Sequence, residues 1–416
     1  MSEEKYIRKL AKIRSIIPKP NETFEFAIVI PAYCELDYID QTIKSIEVTL
    51  ENSSIKTAII IVVNNPQTAP QEVRNNNSQL LLHLRKHKGY GKFLFLIDAT
   101  SIGNEITGGV GMARKIGMDS TLNILENNGV IISLDADTSV EPNYLQAIYN
   151  WKELKKNEVA ASISFRHKNA INNDSILDYE LYMQQYKLGL SIANSPYNYF
   201  SIASALVCRK EAYIKAGGMR VRTAGEDFYF LQIVRNLGKI GHITSTQVHP
   251  SDRFSERVDF GTGKRINEHC NGKIIKGYNP EVFKLLKEIF NIVNDNLETP
   301  EQITVKLERN LPQVANQFFI NNSFEKQWDK ILKNTPNKEE KIHSAFHTWF
   351  NAFKTLKFIH HLEDNSIEYS KHDIIESIQE LTSKFKFPIS NENYSNKLKL
   401  INTLEALTEE IIDSNL

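Results

Sequence analysis

Apolar residues fall along the first half of the chain in short unbroken runs, and between those runs they recur every three or four positions. Phe26 to Ile30, Lys56 to Val63, Phe93 to Ile97 and Val130 to Leu134 are strand-length and rich in β-favouring residues. A run that is apolar throughout, rather than alternating, suits a strand covered on both faces. The stretches Asp37 to Leu50 and Gly109 to Leu125 carry helical spacing instead. Strands separated by such segments predict an α/β sheet, mostly parallel and flanked by helices. The first strand is expected to stop at Pro31, which lacks the N–H a ladder needs.

From about residue 158 the pattern is mixed. Val159 to Phe165, Ser201 to Cys208 and Ile240 to Gln247 read as strands, and Ile176 to Ile192 as a helix with many tyrosines. Gly225-Glu226-Asp227 opens a helix from Phe228 to Leu237, which Gly238 ends. A polar loop, His249 to Lys264, follows the last strand. Beyond about residue 278 glycine nearly vanishes and the chain becomes rich in Lys, Glu and Asn at helical spacing, as in Val282 to Val293, Glu340 to Leu362 and Asn396 to Ile412. Pro300, Pro312, Pro336 and Pro388 punctuate this region, which predicts roughly four to seven helices. The domains expected are a helical lead-in over 1–23, closed by Pro18-Lys19-Pro20, an α/β domain over 24–275, and an all-α domain over 276–416.

Length and charge narrow the function. At 416 residues the chain is too long for one ordinary domain. Lys plus Arg and Asp plus Glu both total 50, so the net charge is zero and no nucleic-acid partner is expected. Cys34, Cys208 and Cys270 are few, odd in number and far apart, which fits a reducing compartment. The charged N-terminus lacks the apolar core of a signal peptide, and the longest apolar run, Ala58 to Val63, is far too short to span a bilayer. A cytoplasmic protein is expected, with peripheral membrane contact left open.

Ligands of such sheets bind outside the carboxyl ends of the strands. Those ends carry Tyr33 and Glu35, Asn64 and Asn65, Asp98, and Asp135 with Asp137. In an extended segment positions i and i+2 project to one side, so Asp135 and Asp137 can address one ligand. Two carboxylates that close need a divalent cation or a nearby Arg or Lys. The alternative is a solvated turn in which Asp137 or Thr138 caps the helix begun at Glu141-Pro142.

Taken in order, these residues resemble the family-2 glycosyltransferases of GT-A fold, over about residues 24 to 265. Ile28 to Glu35 is similar to the family's opening strand and Pro-Ala-Tyr-Asn-Glu loop, with Cys34 in the Asn place. Gly108 to Lys115 is similar to its small-residue segment ending in Ala-Arg-Asn, Asp135-Ala136-Asp137 to its Asp-x-Asp, and Gly225-Glu226-Asp227 to its later Glu-Asp. The resemblance implies a nucleotide-binding half over 24–140 and an acceptor half over 141–275. It implies that Pro31, Tyr33, Glu35, Asn65, Asp98, Arg114 and Asp135 meet a UDP- or GDP-sugar donor. Asp137 and Asp135 would hold Mn2+ or Mg2+, with His249 as a candidate third ligand.

In that reading a single sugar passes to an acceptor hydroxyl with inversion, Asp227 serves as general base and Glu226 orients hydroxyls. Arg253, Arg257 and Lys264 would sit on a flap over the diphosphate, with Gly261 and Gly263 as hinges. Relatives usually carry Asp where Asn64-Asn65 stands, so the base is not specified. The Gln-x-x-Arg-Trp motif of processive synthases is absent, which implies a non-processive enzyme. Three rivals remain. One is a retaining transferase with His249 on the metal. Another is nucleotidyl transfer, which usually brings a glycine-rich basic loop that Pro31 to Glu35 lacks. The third is a non-catalytic scaffold whose helical domain binds a partner or a second copy of the chain.

Overall fold

The computed structural model describes residues 1–168, 170, 173–222, 225–253, 274–295 and 298–414. Its described residues divide into two compact units, one formed by 1–170 with 201–265 and the other by 171–200 with 266–416.

The first unit runs α1 (Glu3–Lys9), β1 (Phe24–Ala32), α2 (Ile39–Glu51), β2 (Thr57–Asn64), α3 (Gln71–Arg85), β3 (Leu94–Ala99), α4 (Gly109–Thr121), β4 (Leu125–Ser133), β5 (Ser139–Val140), α5 (Tyr144–Leu154) and β6 (Glu158–Phe165). After α6 (Asp174–Ile192), which belongs to the second unit, come β7 (Leu206–Arg209), α7 (Lys210–Lys215), α8 (Glu226–Arg235) and β8 (Lys239–His249). The sheet order is β3-β2-β1-β4-β7-β6-β8-β5. Parallel ladders join β3, β2, β1 and β4 and also β6 with β8, whereas β7 and β5 pair antiparallel. The expected α/β architecture with a helical C-terminal region is therefore what forms.

Every residue of β2 is buried, as its unbroken apolar run requires of a strand covered on both faces. Helix α2 buries Ile39, Thr42, Ile43, Ile46 and Thr49, a stripe at helical spacing. Strand β1 continues through Pro31 to Ala32, past the expected stop. Its ladder with β4 ends at Val29, so at Pro31 the described pairing is with β2 alone, opposite Val62. A strand tolerates proline at such a local edge. The chain fills the sheet in one direction from β1 to β3 and in the other from β4 onward. The carboxyl ends of β1 and β4, at this reversal, are where a crevice opens in such sheets.

The second unit is helical, with nine α-helices between Pro280 and Ser414 among the described residues, more and shorter than expected. The Glu340 to Leu362 stretch is two helices, Glu339–Trp349 and Ala352–Asn365, because the Asn351 side chain accepts from Lys354 N at 2.9 Å and starts a new one. Phe290, Phe318, Phe319, Phe324, Trp328, Phe346, Phe350 and Phe358 form its core. Helix α6, expected within the α/β domain, belongs here. Tyr182 Oη donates to Tyr278 Oη at 2.5 Å, Gln185 Nε2 to Tyr278 O at 2.8 Å, and Lys187 Nζ to Glu409 Oε1 at 2.9 Å. No described helix is long and apolar enough to cross a membrane.

Candidate active site

Strand β4 ends at Ser133, and Asp135 and Asp137 lie on the turn beyond it. Leu134 N donates to Val29 O at 3.1 Å, Thr138 N to Asp135 O at 3.2 Å, and Thr42 Oγ1 to Ala136 O at 2.8 Å. These bonds peg the turn to β1 and α2. The two aspartates therefore lie on a pegged turn rather than on an extended segment. Each has its own guanidinium.

Asp135 belongs to Arg114. Arg114 on α4 is only 2% exposed, and its Nη2 donates to Asp135 Oδ1 at 2.9 Å, Nη1 to Ser133 Oγ at 2.6 Å, and Nε to Glu226 Oε1 at 3.4 Å. Burial alone would lower its affinity for a proton, but Asp135 and Glu226 outweigh that and hold the charge more firmly. Arg114, expected at the donor, is thus held by contacts within the protein. Glu226 is buried at the start of α8, whose N-cap Gly225 sits at φ +70°, a backbone glycine adopts without strain. Half-buried Asp227 follows, accepting from Phe228 N at 2.7 Å. Burial, and then the neighbouring Glu226 charge, push its carboxyl up to about 7 against the pull of Arg114.

Asp137 belongs to Arg253. The Arg253 Nε lies 2.7 Å from Asp137 Oδ2 and its Nη2 2.6 Å from Glu35 Oε1, with the guanidinium 4.3 Å from the Tyr38 ring centre. Lys168 Nζ approaches Asp137 O at 3.5 Å and Gln41 Oε1 at 3.2 Å. Burial and the Asp135 charge push the Asp137 carboxyl up to about 6, with Arg253 opposing. Arg257 and Lys264, with Gly261 and Gly263, lie outside the described residues.

Others of the residues expected at the donor are held as follows. Asn65 accepts from Asn77 Nδ2 at 2.5 Å, and its backbone joins Ala99 and Ile106. Asn77, on the apolar face of α3, also donates to Asn64 O at 3.0 Å and accepts from Cys34 N at 2.9 Å, so one buried amide ties the ends of β1 and β2 together. That fixes the Tyr33 to Glu35 loop, with Cys34 at φ 61°. Asp98 Oδ1 accepts from Thr100 N and Oγ1 at 2.9 and 2.7 Å. His249 is engaged elsewhere. β5 pairs Ser139 with His249, setting its Nε2 2.6 Å from Glu141 Oε1 and its Nδ1 3.0 Å from Arg166 O. A metal there would have to displace Glu141.

Sequence reasoning missed Ser133, Asn77, Lys168, Tyr38 and Glu141. Only Asn77 had a signal, three and four positions before Leu80 and Leu81 on what would be a buried helix stripe.

The donor set suits a hard divalent cation. Carboxylate oxygens of Asp135 and Asp137 are the right ligands, and the acids here outnumber Arg114, Arg253 and Lys168. Among the described residues no three His, Cys, Asp or Glu side chains are grouped to hold a metal. A cation would complete its shell with water and an anionic substrate, the usual mode for Mg2+ beside phosphates.

Fold and site together define an α/β protein with an acidic, arginine-braced side-chain cluster at the strand reversal of its sheet. No protein-family model and no curated protein matches the chain. Among solved structures it is similar to S. aureus TarS 1-349 in complex with UDP-GlcNAc, at 11% identity over 93% of this chain and 89% of that one, with a TM-score of 0.37. It is also similar to the mannosyltransferase PcManGT from Pyrobaculum calidifontis with GDP-Man and Mn2+, at 10% identity over 97% and 91%, TM-score 0.33. A third is glucosyl-3-phosphoglycerate synthase from Mycobacterium tuberculosis with Mn2+, UDP-Glc and phosphoglyceric acid, at 10% identity over 55% and 72%, TM-score 0.35. At such identities and scores the likenesses carry no argument about activity on their own.

Proposed function

We propose that the protein is a metal-dependent, non-processive glycosyltransferase of GT-A type, moving one sugar from a UDP- or GDP-sugar to an acceptor hydroxyl with inversion. One observation carries the reading: Asp135, from the acid pair after β4, and Glu226, from the acid pair opening α8, meet on a single buried guanidinium, Arg114, beside the sheet's strand reversal. Asp227 accepts the proton of the attacking hydroxyl at its carboxylate, for which a carboxyl raised to about 7 is well matched near neutral pH. Glu226, held by Arg114, orients hydroxyls beside it. Asp135 and Asp137 would hold a divalent cation on the donor side, which would supply compensation for the charge that grows on the departing diphosphate. Arg253, on Asp137 and Glu35, would bring a cation to that charge. The engagement of His249 by Glu141 disfavours the retaining alternative that needs it as a ligand.

The test is calorimetric titration with UDP and with GDP, each with Mn2+ and with EDTA. One nucleotide is expected to bind only with metal, and Asp137→Asn to abolish that binding while the protein stays folded. Failure of both nucleotides to bind folded wild-type protein would sink the reading.

A further inference from the structure

We infer that Arg114 is a positioning residue that couples the donor-side carboxylate to the acceptor-side acid pair, and that it does not bind substrate itself. The inference rests on the transferase reading above. Arg114 is fixed to an unusual degree by its helix. Three residues before it, a Cβ on Gly111 would fall 2.6 Å from Arg222 O, so α4 touches the segment leading into α8. Three residues after it, a Cβ on Gly117 would fall 2.3 Å from Val29 Cγ1 and 2.9 Å from Val62 Cγ2, so α4 also lies directly on β1 and β2. The backbone that carries Arg114 is thus held between the segment leading into α8 and the strands β1 and β2, and its side chain joins α8 to the end of β4, the neighbour of β1.

The side chain leaves little for a ligand. All three guanidinium nitrogens donate within the protein, to Ser133, Asp135 and Glu226. The fork is what matters, because a lysine carries the same charge at one point and cannot span the acids in fixed geometry. Asp135 is 39% exposed on its far side, so a ligand can reach it while Arg114 holds the near oxygen. Glu226 is 5% exposed and, without Arg114, would be a buried carboxylate deprived of its cation. A charge arriving at Asp135 therefore changes the hold of the same guanidinium on Glu226. That is a direct route by which donor occupancy alters the acceptor side, and reciprocity makes acceptor occupancy alter donor binding by the same factor.

The experiment compares wild type, Arg114→Lys, Ser133→Ala, Glu226→Gln and the Arg114→Lys/Glu226→Gln double variant. Folding is checked by circular dichroism, nucleotide binding with Mn2+ by calorimetry, and kcat with donor and acceptor KM by turnover. Arg114→Lys is expected to lower kcat by about 10- to 100-fold, the cost of misplacing reacting groups. The nucleotide Kd should stay within about threefold, since ground-state donor binding is not what the residue supplies. The double variant should lose no more kcat than the larger single loss, because Arg114 acts through Glu226. Ser133→Ala removes one leg of the fork and should lower kcat by a smaller factor in the same direction; it carries the test should Arg114→Lys not fold. Loss of nucleotide binding in folded Arg114→Lys would make Arg114 a donor ligand and overturn the inference. Unchanged kcat, or losses that multiply in the double variant, would overturn it too. If wild type neither binds a metal–nucleotide nor turns over, the transferase reading itself fails, a result distinguishable from the others.

Discussion

At the scale of single residues the site sets acids against one another, and the consequence is a dependence on pH. As the proposed base Asp227 would have to be ionised to take a proton, and its carboxyl is raised from an ordinary 3.8 to about 7. We expect kcat/KM to be low in acid and to rise with pH through about 7, the free enzyme's base appearing as the acid limb. Asp227→Asn should cost about 10²- to 10⁴-fold in turnover and abolish that limb, while metal-dependent nucleotide binding persists. Asp137, raised to about 6, must lose its proton to a cation, so nucleotide affinity in the presence of Mn2+ should climb with pH through about 6. Both groups bear on stability with the same sign. A carboxyl whose folded value exceeds its unfolded value holds its proton more tightly when folded, so its contribution falls as pH rises from about 4 to about 7. The melting temperature of Asp227→Asn should therefore decline less than that of wild type across this window. A wild-type curve that rose more steeply than the variant's would contradict the assignment.

At the scale of elements, the site depends on how α3 and α4 seat on the sheet. The close approach at Gly117 leaves no room for a methyl group between α4 and Val29, so Gly117→Ala should destabilise by about 1–3 kcal/mol in urea unfolding, the range for overpacking. Turnover should fall as well, since α4 carries Arg114. Asn77→Ala takes the amide from the half-buried Cys34 N–H and from the buried Asn64 carbonyl, at about 1–3 kcal/mol for the buried carbonyl. An unfolding midpoint unchanged in either variant would show that these contacts contribute nothing. The same elements mark what could be read from sequence. β1 to β4 were legible because a two-faced buried strand cannot hide its apolar run, and the acid pairs were legible because they follow directly on strand or helix boundaries. Helix α3 was not, since Asn75, Asn76 and Asn77 weaken its propensity and its buried stripe is narrow, with Asn77, Leu80, Leu81 and Leu84 inside. Arg114 could be singled out as a residue, but its partners stand 19 to 112 positions away, and nothing in local sequence pairs them. The contact of His249 with Glu141 was hidden for the same reason: the β5 pairing that brings them together is a tertiary event.

At the scale of the whole molecule, a boundary drawn by composition and one drawn by packing differ at α6. Glycine and charge content change near residue 278, yet Asp174–Ile192 already belongs to the helical unit. A Cβ on Gly189 would fall 2.5 Å from the Phe283 ring, and Gln185 bonds both backbone groups of Tyr278 as well as Ser377 Oγ. Ile176, Leu181, Leu188 and Ile192 are buried as well, each worth about 1.5–3 kcal/mol on full burial. Domains have only about 5–15 kcal/mol of net stability, so a chain that keeps α6 and loses its packing partners is a poor candidate for independent folding. Truncation after residue 275 is therefore expected to give an aggregating product, or one cut by protease within α6. Removing 171–200 together with 266–416, with a Gly-Ser linker between 170 and 201, takes away the whole helical unit and its apolar faces at once. That shorter chain should remain in solution and be the more protease-resistant of the two. If the simple truncation proved the better behaved in limited proteolysis and sedimentation, α6 would belong to the sheet after all, and the compositional boundary near residue 278 would be the true one.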